Sequence, residues 1–107
     1  MQKTVKFSEQ GRDLIAALSG EIDHHAAKTQ REEIDAMLFR VRPRTLVLDF
    51  SEVKFMDSSG IGLIIGRTEV CEEIGATMEI KGLSHTLKKL LRLSGIEKIK
   101  CLSIISK

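Results

Sequence analysis

Tryptophan and tyrosine are absent from this chain and phenylalanine occurs only four times. The basic stripe interleaved with stacking aromatics that marks many nucleic-acid-binding domains is therefore missing. A large excess of one charge is lacking too: 17 lysines and arginines stand against 15 acids, for a formal net charge of +2. Acids and bases are interleaved, and this balance names no partner. Only the segment from Lys81 to Lys100 is locally basic, which reads as a solvated helix face. Long hydrophobic runs are lacking. Leu46-Val47-Leu48 and Leu63-Ile64-Ile65 fall far short of the roughly 20 residues that span a bilayer, so no membrane helix is expected. The start, Met1-Gln2-Lys3-Thr4-Val5-Lys6, has neither the apolar core nor the small-residue cleavage site of a signal peptide, which points to the cytoplasm. Cysteine occurs twice, as Cys71 and Cys101 without a CxxC pair. Both read as small core residues rather than as a disulfide or zinc site.

What remains is ordinary globular material. With 107 residues, 42% hydrophobic and 30% charged, the chain suits one domain, spanning 1–107, that buries about two-thirds of its unfolded surface. No linker, internal repeat or low-complexity stretch interrupts it. Val5 and Phe7, then Leu14, Ala16 and Leu18, alternate as strands do, with Gln10-Gly11 as the turn of a hairpin. Ser19-Gly20 breaks the alternation, and Asp23 is placed to cap a helix. Ala27, Ile34, Met37, Leu38 and Val41 form that helix's buried stripe, closed by Pro43. Thr45 to Phe50 is a nearly continuous apolar run, as expected of a central strand covered on both faces by helices. After a loop from Ser51 to Asp57, a second helix runs from Ser58 to Ile74 and stops at Gly75. Met78 and Ile80 mark a short strand. Ser84 caps a third helix carrying Leu87, Leu90, Leu91 and Leu93, stopped by Gly95, and a last extended segment runs from Ile99 to Ile105. The order β-β-α-β-α-β-α-β implies an α/β fold: a mixed sheet with an opening hairpin and parallel strands packed by α-helices.

The most informative stretch is Phe55-Met56-Asp57-Ser58-Ser59-Gly60-Ile61-Gly62, which sets two hydroxyls and a carboxylate where a loop enters a helix. Unpaired amides and the positive end of the dipole at such a place favour a capping side chain, and they would equally stabilise an anion. Capping accounts for one side chain. It leaves unexplained Gly60, Gly62 and Gly66 inside a helix, each costing up to about 1 kcal/mol relative to alanine. Something approaches closely there, either the sheet beneath or a partner above. On a helical wheel Ile61, Ile64 and Ile65 oppose Leu63, Val70 and Ile74. One stripe is then a candidate docking surface, unless the helix has a single broad buried face.

Catalytic readings fail on spacing. Gly60-x-Gly62 would need its third glycine at position 65, which is Ile65, with Gly66 one place late. Asp57-Ser58-Ser59-Gly60 is not a G-x-S-x-G elbow, so a triad of Ser58 with His24 or His25 is rejected. Adjacent His24 and His25 point apart on a helix and make a poor metal site. Asp49 at a strand end lacks the acidic pair of a receiver-type phospho-aspartate. No catalytic or metal-binding residue is expected.

Gly20-Glu21-Ile22-Asp23-His24-His25 together with Leu46-Val47-Leu48-Asp49-Phe50 and Phe55 through Gly62 closely resembles the STAS family, in particular its anti-sigma-factor antagonists. The likeness runs on through Gly66-Arg67 and Leu93-Ser94-Gly95, nearly the whole chain in order. The DSSG element is specific to the antagonist branch, and the Asp-His-His element narrows it to the sporulation members. The resemblance implies a switch rather than an enzyme. An ATP-dependent anti-sigma factor serine kinase would phosphorylate Ser58, and a PP2C-type phosphatase would remove the phosphate. The unmodified form would bind the anti-sigma factor and free the sigma factor. ATP or ADP would belong to the kinase, so this chain needs no cofactor. The expected partner-binding surface joins Asp23, His24 and His25 to Asp57, Ser58, Ser59, Gly60, Ile61 and Gly62 on a chain that is a monomer when free. Neither nucleic acid nor membrane is an expected partner. General-stress antagonists share the switch serine, so the sigma factor served stays open; the alternative is a general-stress-type antagonist or a scaffold of the same family serving a different sigma factor. In one departure, Lys107 follows directly on the last strand-like segment, where family members commonly continue into a helix.

Overall fold

Residues 4–105 are described in the computed structural model; Met1 to Lys3 and Lys107, which enter the reading above, lie outside them. Strand β1 (Val5–Gln10) and strand β2 (Asp13–Ile22) form the opening hairpin. Gly11, at φ 59°, takes the left-handed turn position that a side chain would strain. Helix α1 (His24–Val41), strand β3 (Thr45–Met56), helix α2 (Ser58–Ile74), strand β4 (Thr77–Lys81) and helix α3 (His85–Ser94) follow. A single 3-10 turn, Ile96–Lys98, then leads to strand β5 (Leu102–Ile104). The sheet has the order β1-β2-β3-β4-β5, with β1 antiparallel to β2 and the other pairs parallel. This is the mixed α/β sheet that the alternation of elements implies.

Each strand is added on the same side of the last, so right-handed crossovers place all three helices on one face. The core follows this geometry. Leu14, Ala16 and Leu18 of β2, Leu46, Leu48 and Phe50 of β3, and Met78 and Ile80 of β4 share one buried cluster with Ile34, Leu38, Leu63, Ile64, Leu87 and Leu91 of the helices. The alternate residues of the strands point the other way, and they include Ser8, Glu79 and Lys81. The expectation that helices cover both faces of β3 is therefore corrected: the arrangement is two-layered. Val47 is nonetheless 6% exposed, flanked in register by Ile15 and Glu79. A buried position on an uncovered face is what makes the run look two-sided.

Three boundaries also move. Ser19-Gly20 does not end β2; the pairing with β3 shifts register between Ala17 and Ser19 and again between Gly20 and Glu21, and the strand continues to Ile22. Gly20, at φ 79°, supplies the backbone such an irregularity needs. The expected loop from Ser51 to Asp57 is the second half of β3, because Glu52 to Met56 pair with Ser19 to Ile22. The extended segment from Ile99 to Ile105 contracts to a three-residue strand. In α3, Leu93 lies 79% exposed rather than in the buried stripe.

Candidate functional site

The two turns singled out in the sequence meet at one edge. β2 and β3 run parallel and end in register at Ile22 and Met56, so α1 and α2 start side by side. The Asp57 amide donates to the Ile22 carbonyl at 3.2 Å, which ties the turns together. Asp23 caps α1 by accepting from the Ala26 amide at 2.8 Å. Asp57 caps α2 by accepting from the Ser59 amide at 2.7 Å. The cap of α2 is thus the aspartate, and Ser58 occupies the first helical position with its side chain toward solvent. Among the described residues, none hydrogen-bonds its hydroxyl. His24 and His25 are exposed at the start of α1, and Ser59 is half-buried.

Not every residue expected at this surface reaches it. Gly60 is buried, and a Cβ there would lie 2.6 Å from Met56 Cγ, so it is the sheet beneath that approaches this glycine. Ile61 is half-buried and packs on the core. Gly62 and Gly66 differ, since an added Cβ would meet nothing within 4 Å at either. The wheel reading also changes. Gly60, Leu63, Ile64, Arg67, Thr68 and Cys71 are the buried residues of α2. That stripe runs midway between the two apolar stripes and takes members of both. The broad buried face is the one realised, leaving Ile65, 39% exposed, as the single outward isoleucine of the three.

Arg67 was missed as a buried residue because arginine rarely is one. It is 4% exposed, its Nε 2.7 Å from Asp35 Oδ1 and its Nη2 donating to Asp35 Oδ2 at 3.2 Å. This pair clamps α2 to α1. Burial pushes the Asp35 carboxyl above its ordinary range, with Arg67 offsetting part of the effect, and burial lowers the arginine in turn. Gln30, also fully buried, donates through Nε2 to the Thr4 carbonyl at 3.3 Å. The one signal for either was a polar residue falling at a core position of the helical period.

Above the clamp lies a groove of about 650 Å3 between the first turns of the two helices. α1 lines it with His24, Lys28 and Arg31, and α2 with Ser59, Gly62 and Gly66, with Arg67 at its base. Among the described residues no group of His, Cys, Asp or Glu is gathered so as to hold a metal ion, and no helix is long and apolar enough to cross a membrane.

One helical layer on a mixed sheet, with neighbouring helix starts at a DSSG turn, defines a STAS domain. The family model described as STAS domain matches residues 4–105, and the chain belongs to that family. Within it, the chain is 37% identical over 86 residues to the anti-sigma F factor antagonist of Paenibacillus polymyxa, covering 80% of this chain and 74% of the relative. It is 25% identical over 99 residues to the anti-sigma-B factor antagonist of Bacillus subtilis (strain 168), covering 92% and 89%. Among solved structures it resembles the anti-sigma factor antagonist SpoIIAA in its unphosphorylated form, at 26% identity and TM-score 0.74, over 96% of this chain and 88% of that one. The phosphorylated form gives 28% identity and TM-score 0.72, over 96% and 92%.

Proposed function

We propose that this chain is an anti-sigma-factor antagonist that acts in the cytoplasm by binding rather than catalysis. Its unmodified form engages an anti-sigma factor serine kinase and frees the sigma factor. Phosphorylation of Ser58 by that kinase, using ATP held by the kinase, switches it off, and a PP2C-type phosphatase restores it. The observation that carries this reading is the position of Ser58: exposed, without a hydrogen-bonded hydroxyl, and joined to the Asp23 turn through the bond from Asp57 to Ile22. A relative named for each of two sigma factors supports the switch without choosing between sporulation and general stress.

The geometry also suggests how the phosphate acts. It would bring about −1.5 to −2 charges to a helix start. Two of the amides there are already engaged, that of Ser59 by the Asp57 carboxylate and that of Gly60 by the Asp57 carbonyl at 3.0 Å. The helix therefore offsets less of the repulsion from Asp57 than free amides would. Water does the rest, because Ser58 is exposed, and the fold is expected to hardly change. Against a partner that water is lost, and a penalty of about 3–4 kcal/mol weakens binding by two to three powers of ten. The test is incubation with ATP and the anti-sigma factor kinases of the source organism, read by mass spectrometry. A single phosphate on Ser58 is expected; modification only at Ser59, or none, overturns the reading. Ser58→Ala should bind and resist modification. Ser58→Asp should bind poorly yet melt within a few degrees of the parent, and loss of its folded structure would point instead to an order–disorder switch.

A further inference from the structure

We propose that the groove between α1 and α2 is the specificity pocket of this surface and receives an acidic side chain from a helix of the anti-sigma factor. The inference rests on the reading above and concerns residues that it leaves unused. Three observations converge on it. The groove is lined by the cations Lys28, Arg31 and Arg67 together with the His24 imidazole, and no acid is among its lining residues. Asp35, beneath the groove, is engaged by Arg67 and also attracts Arg31, so this one carboxylate offsets only part of the charge of the three cations. Lys28 and Arg31 are exposed one turn apart on α1 and so present their charge to the opening.

The floor is the second observation. Gly62 and Gly66 stand one turn apart on α2, each facing open space where a side chain would fit. Neither has the positive φ that would require glycine. Alanine at both would favour the helix, so the empty floor runs against helix propensity. A floor without side chains lets a partner's backbone come close, as small residues do wherever helices pack tightly. Continuity is the third: Ser59 and His24 line the groove and also flank Ser58 and Asp23, so a helix seated here would pass beside the switch serine. An apolar occupant is disfavoured, because it would strip water from Lys28 and Arg31 without pairing them.

The experiment uses the kinase that phosphorylates Ser58 and measures its affinity by calorimetry at low and at moderate salt. Lys28→Glu combined with Arg31→Gln is the charge variant; Arg31 is neutralised rather than reversed because it acts on the Asp35–Arg67 pair. A loss of about tenfold is expected at low salt, with a flatter salt dependence than the parent. Gly66→Leu fills the groove without changing charge and should lose a similar factor at either salt. Both variants are checked for a melting temperature no lower than the parent's, Gly66→Leu being free to melt higher because a leucine favours the helix over glycine. Parent-like affinity in the folded charge variant and in Gly66→Leu overturns the groove assignment. If Ser58→Asp still loses affinity in that case, the switch reading survives; if Ser58→Asp binds as the parent does, the switch reading fails with it.

Discussion

Single residues divide here between those that hold the edge together and those that face outward from it. The Asp35–Arg67 pair belongs to the first kind, and the directions of the two shifts say that burial costs each partner more than the other returns. A pair of that kind orients helices more than it stabilises them. Asp35→Ala should cost on the order of 2–3 kcal/mol, because it strands a guanidinium whose side chain is 5% exposed. That is less than for a fully enclosed pair, since the Asp35 side chain keeps 28% exposure. Replacing both residues, Asp35→Leu with Arg67→Met, should restore most of the loss in urea unfolding. A double variant as unstable as the single one would show that the pair contributes net stability. The sign with pH agrees. A carboxyl raised above its ordinary value favours the fold at low pH, and that contribution is lost as pH rises through the folded value, so this pair is not a source of acid lability.

Elements were legible wherever local chemistry fixes them. Asp23, Asp57 and Ser84 announce three helix starts and Gly75 and Gly95 two stops, because caps act within one turn of chain. The second half of β3 was not legible. Ser51-Glu52-Val53-Lys54 has no clean alternation, and its pairing with β2 depends on a register shift at Gly20, which is a property of two strands together. The same holds for the site: Ser58 and Asp23 stand out in the sequence, whereas the groove exists only once α1 and α2 are packed. For α2 the two ends of this reasoning give opposite signs. Asp57→Ala removes a cap and should destabilise by about 1 kcal/mol. Gly62→Ala adds a side chain that meets nothing and should stabilise by up to about 1 kcal/mol. Thermal melts of both decide it, and a destabilised Gly62→Ala would mean that the glycine serves the fold rather than the surface.

At the scale of the whole molecule, the thiol of Cys71 reports on the integrity of the layer. Burial pushes it up to about 12 from an ordinary 9.0, with the nearby Cys101 adding to the shift. A thiol harder to ionise when folded contributes stability below pH 9.0, lost progressively as pH rises toward the folded value. Between pH 8 and pH 11 the parent should therefore lose about 2–3 kcal/mol that a Cys71→Ala variant does not. Parallel alkaline curves for the two proteins would refute this. The sheet itself is uneven along its length. β3 has its last rung with β4 at Asp49 and Lys81, yet continues beside β2 to Met56. Both helix starts are thereby carried roughly 20 Å past the β4 side of the sheet. The sheet thus has a headland, which the function proposed above would have a partner recognise, and a hinterland that need only fold. If that edge is the partner surface proposed above, substitutions in β4, α3 and β5 should change heat tolerance while a partner meets the same coastline.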